Sequence, residues 1–464
     1  MIPIMEKISF SGWPTKQTVF VIAFLLSVPL IPQAVGVGSL TCRPENGLCS
    51  VVDTIREGYS FEGRGNWPLF NVINVNWYGA IGDGITDDTQ AFVDAWNDAC
   101  NLESAVLLIP EGGTYSVGPL VFKGPCATDL TVEIAGTLIA PSELYSLNKS
   151  NSNSWLHFFR LNNLTVEGGG TVDGKGGRWW AQSCKKNMTN KCRDAPTALK
   201  FSSVSNLKIK DLRIFNSPQI HINFAHCYNV QVAGLQVEAP ADSPNTDGIH
   251  VSATQNVLIQ DSWMASGDDC ISIVSGASDI HIKNVTCGPG HGISVGSLGN
   301  GFEEEHVSLV VVDGATLIGT TNGLRVKTWQ GGVGLATGLV FQNVEMVNVS
   351  YPIIIDQSYC EYPYCPSENE TSAVQVSHVR YRNIRGTSVT KEAVKLVCSK
   401  VSPCRNLYFE DINLVPSEGI GMSLSSCQSA QGVIAGTVIP HIDCLDSPIE
   451  RHRAMPCSSM LSFL

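Results

Sequence analysis

The sequence predicts an all-β chain wound as a parallel β-helix, with a capping helix at its N-terminal end and a disulfide-stapled cap at its C-terminal end. Two interleaved periodicities carry that prediction. Short strands at 248–251 (Gly-Ile-His-Val), 270–273 (Cys-Ile-Ser-Ile) and 292–295 (Gly-Ile-Ser-Val) recur at a step of 22 residues, with Ile249, Ile271 and Ile293 in equivalent places. A fourth, at 323–327, repeats the pattern after a longer excursion, with Asn322 two residues before Leu324. Beside them runs a second ladder: Asn206-Leu-Lys-Ile, Asn229-Val-Gln-Val, Asn256-Val-Leu-Ile and Asp279-Ile-His-Ile. A period of twenty-odd residues leaves room for short strands and corners but none for long helices, which is the signature of a solenoid.

Composition agrees with that winding. Charged residues make up only 16% of the chain, while 43 glycines serve tight corners. A solenoid grows lengthwise, so 464 residues fit one extended domain. The formal net charge of −12 argues against nucleic acid or an anionic membrane as partner.

Taken in order, residues 1–38 read as a secretory signal peptide. Lys7 and Lys16 precede an apolar run at 19–31 that contains Pro29, and cleavage is expected between Ala34 and Thr41. That run has 13 residues, against the roughly 20 that span a bilayer, so no membrane association is expected after cleavage. Residues 39–70 lack periodicity and read as an irregular segment. From 71 to 432 the pattern is that of the β-helix, opening with a strand at Val72. Thr86 is expected to cap a helix whose first turn carries Asp87 and Asp88, and whose apolar face holds Phe92, Ala95, Trp96 and Ala99. Such a helix would plug the open end of the solenoid, and Asp83, Asp87 and Asp88 read as capping groups rather than metal ligands. Strands follow at 106–109, 131–134 and 164–167. The paired Trp179 and Trp180 read as packing rather than a sugar platform. Residues 433–464 complete the chain as the C-terminal cap, held by Cys444, Cys457 and nearby Cys427.

All sixteen cysteines follow the signal segment, as befits a secreted, oxidised protein. Proximity suggests Cys42–Cys49, Cys100–Cys126, Cys184–Cys192, Cys270–Cys287, Cys360–Cys365 and Cys398–Cys404, with Cys227 a buried free thiol. Without CxxC pairs a zinc site is not expected. Sequons begin at Asn148, Asn163, Asn187, Asn284, Asn348 and Asn369.

The chemistry concentrates at the strand ends. Asp247, Asp269 and His291 each stand two residues before the repeating isoleucine, so successive coils stack them about 4.8 Å apart, with Asp268 beside them. On the strand at 323–327, Leu324 and Val326 should face the core and Arg325 and Lys327 the outside, in the column shared by His250, Ser272 and Ser294. Asparagine or aspartate closing every coil would explain any one of these acids. It does not explain three carboxylates, a histidine and two cations on one face. Two neighbouring carboxyls are what glycoside hydrolysis requires, one protonated for the leaving oxygen and one charged to activate water. Crowding should raise at least one pKa. No metal or cofactor is called for, although a lyase on such a fold would use calcium and a basic proton abstractor.

The motifs Asn245-Thr-Asp247, Gly267-Asp-Asp269, Gly290-His-Gly292 and Arg325-Val-Lys327 resemble, in order, the four signatures of the polygalacturonases of glycoside hydrolase family 28. The resemblance runs from Tyr78 to beyond Tyr359 and is closest to the plant branch, with Val326 where many members carry isoleucine. It implies a right-handed β-helix that hydrolyses α-1,4-linked galacturonan of pectin with inversion. With the signal segment, a secreted protein of the cell wall is expected, acting as a monomer. The resemblance also implies Asp268 as general acid, Asp247 with Asp269 as the pair that activates water, and His291 as the hydrogen-bonding partner of the acid. Arg325 and Lys327 would bind a substrate carboxylate, with Asn245 and Tyr359 lining subsites. The coil spacing alone sits nearer the retaining carboxyl separation of about 5–5.5 Å than the inverting one. A rhamnogalacturonan hydrolase, a pectate lyase and a non-catalytic pectin-binding wall protein are the alternatives. The two cations favour uronate on both sides of the cut, and no motif acid is missing.

Overall fold

The computed structural model describes residues 41–42, 49–50, 71–141, 153–360, 372–418 and 421–445. Two compact units result, residues 1–68 and 69–464. In the first, Thr41–Cys42 pairs antiparallel with Cys49–Ser50. The signal peptide, the Cys42–Cys49 and Cys360–Cys365 bridges, Cys457, and the sequons at Asn148 and Asn369 all fall outside what the structure describes.

The second unit is a solenoid of parallel strands. One sheet has eleven strands that follow one another strictly in chain order, from Leu120–Lys123 to Leu424–Gln428, and a second sheet has twenty. A single coil shows how the chain feeds both. Ile249–Ser252 joins the first sheet, Gln255–Gln260 and Trp263–Ala265 join the second, and the chain returns to the first at Ile271–Ile273. Strand register follows the repeat: Ile249 pairs with Ile271, Ile271 with Ile293, and Ile293 with Leu324. Each of these side chains has no solvent exposure, and neither have Val251, Ile273, Val295 and Val326 in the next inward column. The alternation is the strand's period of two, repeated coil after coil.

The second ladder turns on its asparagines. Asn206, Asn229, Asn256 and Asp279 have φ between 54° and 58°, a left-handed conformation that asparagine and aspartate tolerate better than other side chains. Stacked amides also satisfy one another: Asn229 Nδ2 donates to Asn206 Oδ1 at 2.7 Å, and Asn206 to Asn162 at 2.9 Å.

Near the N-terminal end the core becomes aromatic. Phe122, Phe158, Phe201 and Phe224 occupy one column, with ring centroids 4.6, 4.9 and 5.7 Å apart. Helix Thr89–Cys100 covers the end of that column, Trp96 meeting Phe122 edge-on at 4.9 Å. Phe92, Ala95, Trp96 and Ala99 are its buried face, as expected. Its start differs from expectation. Thr86 belongs to the strand Asp83–Asp87, and Asp88 holds the cap position without capping. Asp88 is 2% exposed because its carboxylate turns back to accept from the amides of Ile81 and Gly82. The loop claims the side chain that the helix would otherwise use. Asp83 likewise accepts from the amides of Ile85 and Thr86.

The bridges Cys100–Cys126, Cys184–Cys192, Cys270–Cys287 and Cys398–Cys404 form as spacing suggested, and Cys227 is free and buried. Trp180 packs, its indole donating to Ser217 O at 3.1 Å. At the far end, strand Ala430–Ile439 pairs in parallel with Cys404–Pro416, so the ladder continues past residue 432, and Cys427–Cys444 ties down the segment beyond. Among the described residues no helix is long and apolar enough to cross a membrane.

The aromatic column is buried and runs through four successive coils, Phe201 stacking between Phe158 and Phe224. Phe201→Ala is therefore expected to cost about 3–5 kcal/mol of stability, read from the denaturant midpoint. A loss below about 1 kcal/mol would contradict that role.

Candidate active site

The site forms where the turns before three successive strands continue the backbone ladder. Gly248 N donates to Asp269 O and Cys270 N to Gly292 O, each at 2.9 Å. The chain must bend sharply there, and glycine permits it. Gly292 has φ +84°, and a Cβ on it would lie 2.1 Å from Asn322 O. A Cβ on Gly267 would lie 2.0 Å from Ser243 O. Thr246 pins one motif to the next, its Oγ1 accepting from Gly267 N at 2.9 Å.

The bends deliver the acids to one face. Asp269, 2% exposed, is the most enclosed of them. Its Oδ1 accepts from Arg325 at 2.7 Å and from Ser294 Oγ at 2.8 Å, and its Oδ2 from Lys327 at 3.0 Å. Lys327 in turn lies 5.3 Å from the ring centroid of Tyr359, which meets Trp329 edge-on. Asp268 Oδ1 stands 3.0 Å from His291 Nδ1 and accepts from Asp269 N at 2.8 Å. Asp247 Oδ2 accepts from Ser272 Oγ at 2.6 Å. Asn245, half-buried with φ 56°, sits two residues before Asp247.

Every residue named from the sequence thus lies on the first sheet's outward side or its leading turns. Two features were not anticipated. Arg325 and Lys327, assigned to a substrate carboxylate, are already paired with Asp269. The serines also have a part: Ser272 and Ser294 each donate to the carboxylate of the preceding coil. Their equivalence to Arg325 was visible in the repeat, and that column was the signal.

Asp247 and Asp268 are shifted in opposite directions. Burial raises the pKa of Asp247, helped by the charges of Asp268 and Asp269 and opposed by His250. Burial pulls Asp268 the same way, but the hydrogen bond and charge of His291, the charge of Lys327 and the Asp269 amide outweigh it and hold Asp268 at about 2. Crowding does raise one carboxyl, and it is Asp247. Asp268's low value contributes stability that is complete above the ordinary carboxylate range and is lost as pH falls towards 2. Asp268, Asp269 and His291 offer ligand atoms within 4.8 Å of one another. Arg325, Lys327 and Ser294 occupy both oxygens of Asp269, so a cation bound there would have to displace them.

The sequence profile of glycosyl hydrolases family 28 matches residues 100–437. A probable polygalacturonase of Arabidopsis thaliana is 47% identical over 370 residues, covering 80% of this chain and 83% of its own. A polygalacturonase of Persea americana is 49% identical over 362 residues, 78% of each. Among solved structures, the polygalacturonase from Erwinia carotovora ssp. carotovora superposes with a TM-score of 0.64 at 20% identity, over 78% of this chain and 96% of that one. At that identity the structure speaks for the fold.

The Asp269 pairs make a specific demand on stability. Asp269→Asn leaves two cations without their anion and should destabilise by about 3–5 kcal/mol at the upper end, whereas Lys327→Met leaves Asp269 its Arg325 and Ser294 partners and should destabilise by less. The double variant should lose less than the two losses added, by roughly 0.5–3 kcal/mol. Additive losses in thermal or chemical unfolding would contradict the pairing.

Proposed function

The chain belongs to glycosyl hydrolases family 28, and from that premise we propose that it is a polygalacturonase, cleaving α-1,4-galacturonosyl linkages of pectin with inversion. The observation that carries the reading is the grouping of two unlike carboxyls, Asp247 and Asp268, beside a buried pair of cations. The acids supply what hydrolysis of a glycoside needs. The cations supply what a uronate needs, a planar donor fork on Arg325 and a point charge on Lys327.

In this reaction Asp268 gives its proton to the glycosidic oxygen as the bond to the anomeric carbon breaks. Water attacks that carbon from the opposite face, and Asp247 takes the proton the water releases. The raised pKa of Asp247 makes it the stronger base of the set. Asp269, with both oxygens committed to cations, orients the water and holds Arg325 and Lys327 in place rather than accepting the proton itself. His291 Nδ1 stands 3.0 Å from Asp268 Oδ1, placed to orient the acid. A polyanionic substrate laid over the site adds negative charge and excludes water, and both raise the proton affinity of Asp268 and favour its acid form. Asn245 and Tyr359 line the neighbouring subsites, the ring of Tyr359 offering a face to a sugar. A location outside the cell, in the wall, fits the five disulfides among the described residues. The protein would act there as a monomer after removal of residues 1–38.

A folded Asp268→Asn variant should therefore lose about 10²–10⁴ in kcat on polygalacturonate, measured as release of reducing ends. The wild-type product should carry no unsaturated uronide absorbance and should form undiminished with chelator present. Near wild-type turnover by the folded variant, or a chelator-sensitive unsaturated product, would overturn the assignment.

A further inference from the structure

Behind Asp247 stands a histidine that the reaction above leaves idle. His250 follows Asp247 by three residues, on strand Ile249–Ser252, and its ring Nδ1 lies 2.8 Å from Ser272 Oγ. Ser272 is 2% exposed and donates to Asp247 Oδ2 at 2.6 Å. Its one proton is committed to that carboxylate, so its oxygen accepts from the ring and Nδ1 must carry a proton. The chain of donors runs His250 Nδ1–H to Ser272 Oγ–H to Asp247 Oδ2, and it leaves Oδ1 of Asp247 for water.

The next coil repeats the device. Ser294, which pairs with Ser272 in the ladder, donates to Asp269 Oδ1 and itself receives Arg325 Nε at 2.9 Å. Two successive carboxylates are thus each held by an outward serine that a nitrogen donor supports. In one case that donor is arginine, permanently charged. In the other it is histidine, whose ring also carries a donor on Nδ1.

We infer that His250, acting through Ser272, is a positioning residue that orients Asp247 and holds it in its charged, water-activating form. The inference rests on the reading of Asp247 as the base. The groups that face Asp247 are few. Asp268 and Asp269 on the following coil oppose its ionisation, and His250 on its own strand favours it. The preceding coil offers Asn223, beside His250 in the ladder, and His221, which burial keeps neutral with a pKa of about 4 and which bonds to the Asp247 carbonyl rather than its carboxylate. His250 Nδ1 is 3.9 Å from Asp247 Oδ2, close enough for its charge to act directly as well as through the serine.

The test is the pH dependence of kcat/KM on polygalacturonate. His250→Phe removes donor and charge, and His250→Asn keeps an amide donor without the charge. Loss of a group that favours the charged carboxylate raises its proton affinity, so the acid limb should move to higher pH, by roughly one unit for Phe and less for Asn. Activity lost at low pH should return on raising the pH, which a merely structural defect would not show. An unmoved acid limb in the folded Phe variant overturns the inference, and the Asn variant decides on the same criterion if Phe does not fold. Asp247→Asn is the reference: if that variant turns over normally, the reading of Asp247 as base has failed instead.

Discussion

A carboxylate with 2% exposure keeps its charge only where partners replace the water it has lost, and Asp269 has three of them. Ser294 comes from the next coil, and Arg325 and Lys327 from the strand after it. The contact therefore spans three successive strands of one sheet. It exists only if Ile271, Ile293 and Leu324 are in register, because a slip of one residue would turn Arg325 and Lys327 into the core. The apolar columns thus set the register, and the register sets the electrostatics. Cys270–Cys287 braces the same turn from behind. Glycine at 267 and 292 allows the close approach of backbones that the bends require.

That arrangement divides labour among chemically identical groups. Asp269 is neutralised by cations, Asp268 is hydrogen-bonded to His291, and Asp247 is supported by a serine and a histidine. Asp247 and Asp268, one residue type on adjacent coils, are shifted in opposite directions by their neighbours, which is how one site can hold an acid and a base at the same pH. The neutralised pair at Asp269 also gives the site a patch without net negative charge in a protein of net charge −12, where a uronate can approach.

Much of this was legible because a solenoid writes its contacts into its period. The 22-residue step places Asp247, Asp269 and His291 together without any knowledge of loops, and the Asn206–Asn229–Asn256 column marks the corners. Local bridges such as Cys184–Cys192 follow from short separations. What resisted reading depends on directions that parity does not carry through a bend. The side chain of Asp269 turns towards Arg325 and Lys327, and nothing in strand alternation says whether those cations meet a carboxylate of the chain or of a ligand. Thr86 looked like a helix cap because composition cannot show that a loop competes for Asp88. The ladder's continuation to Ile439 was masked by a stretch, Ala430–Ile439, whose glycines and small residues blur the apolar alternation.

The central claim is that Asp247 and Asp269 activate a water molecule while neither attacks the sugar. The anomeric configuration of the first-formed product decides it. Proton NMR during early turnover of polygalacturonate should show the β-anomer of the new reducing end appearing first and then mutarotating towards the α-form. The α-anomer appearing first would require a covalent glycosyl-enzyme intermediate and would contradict the account.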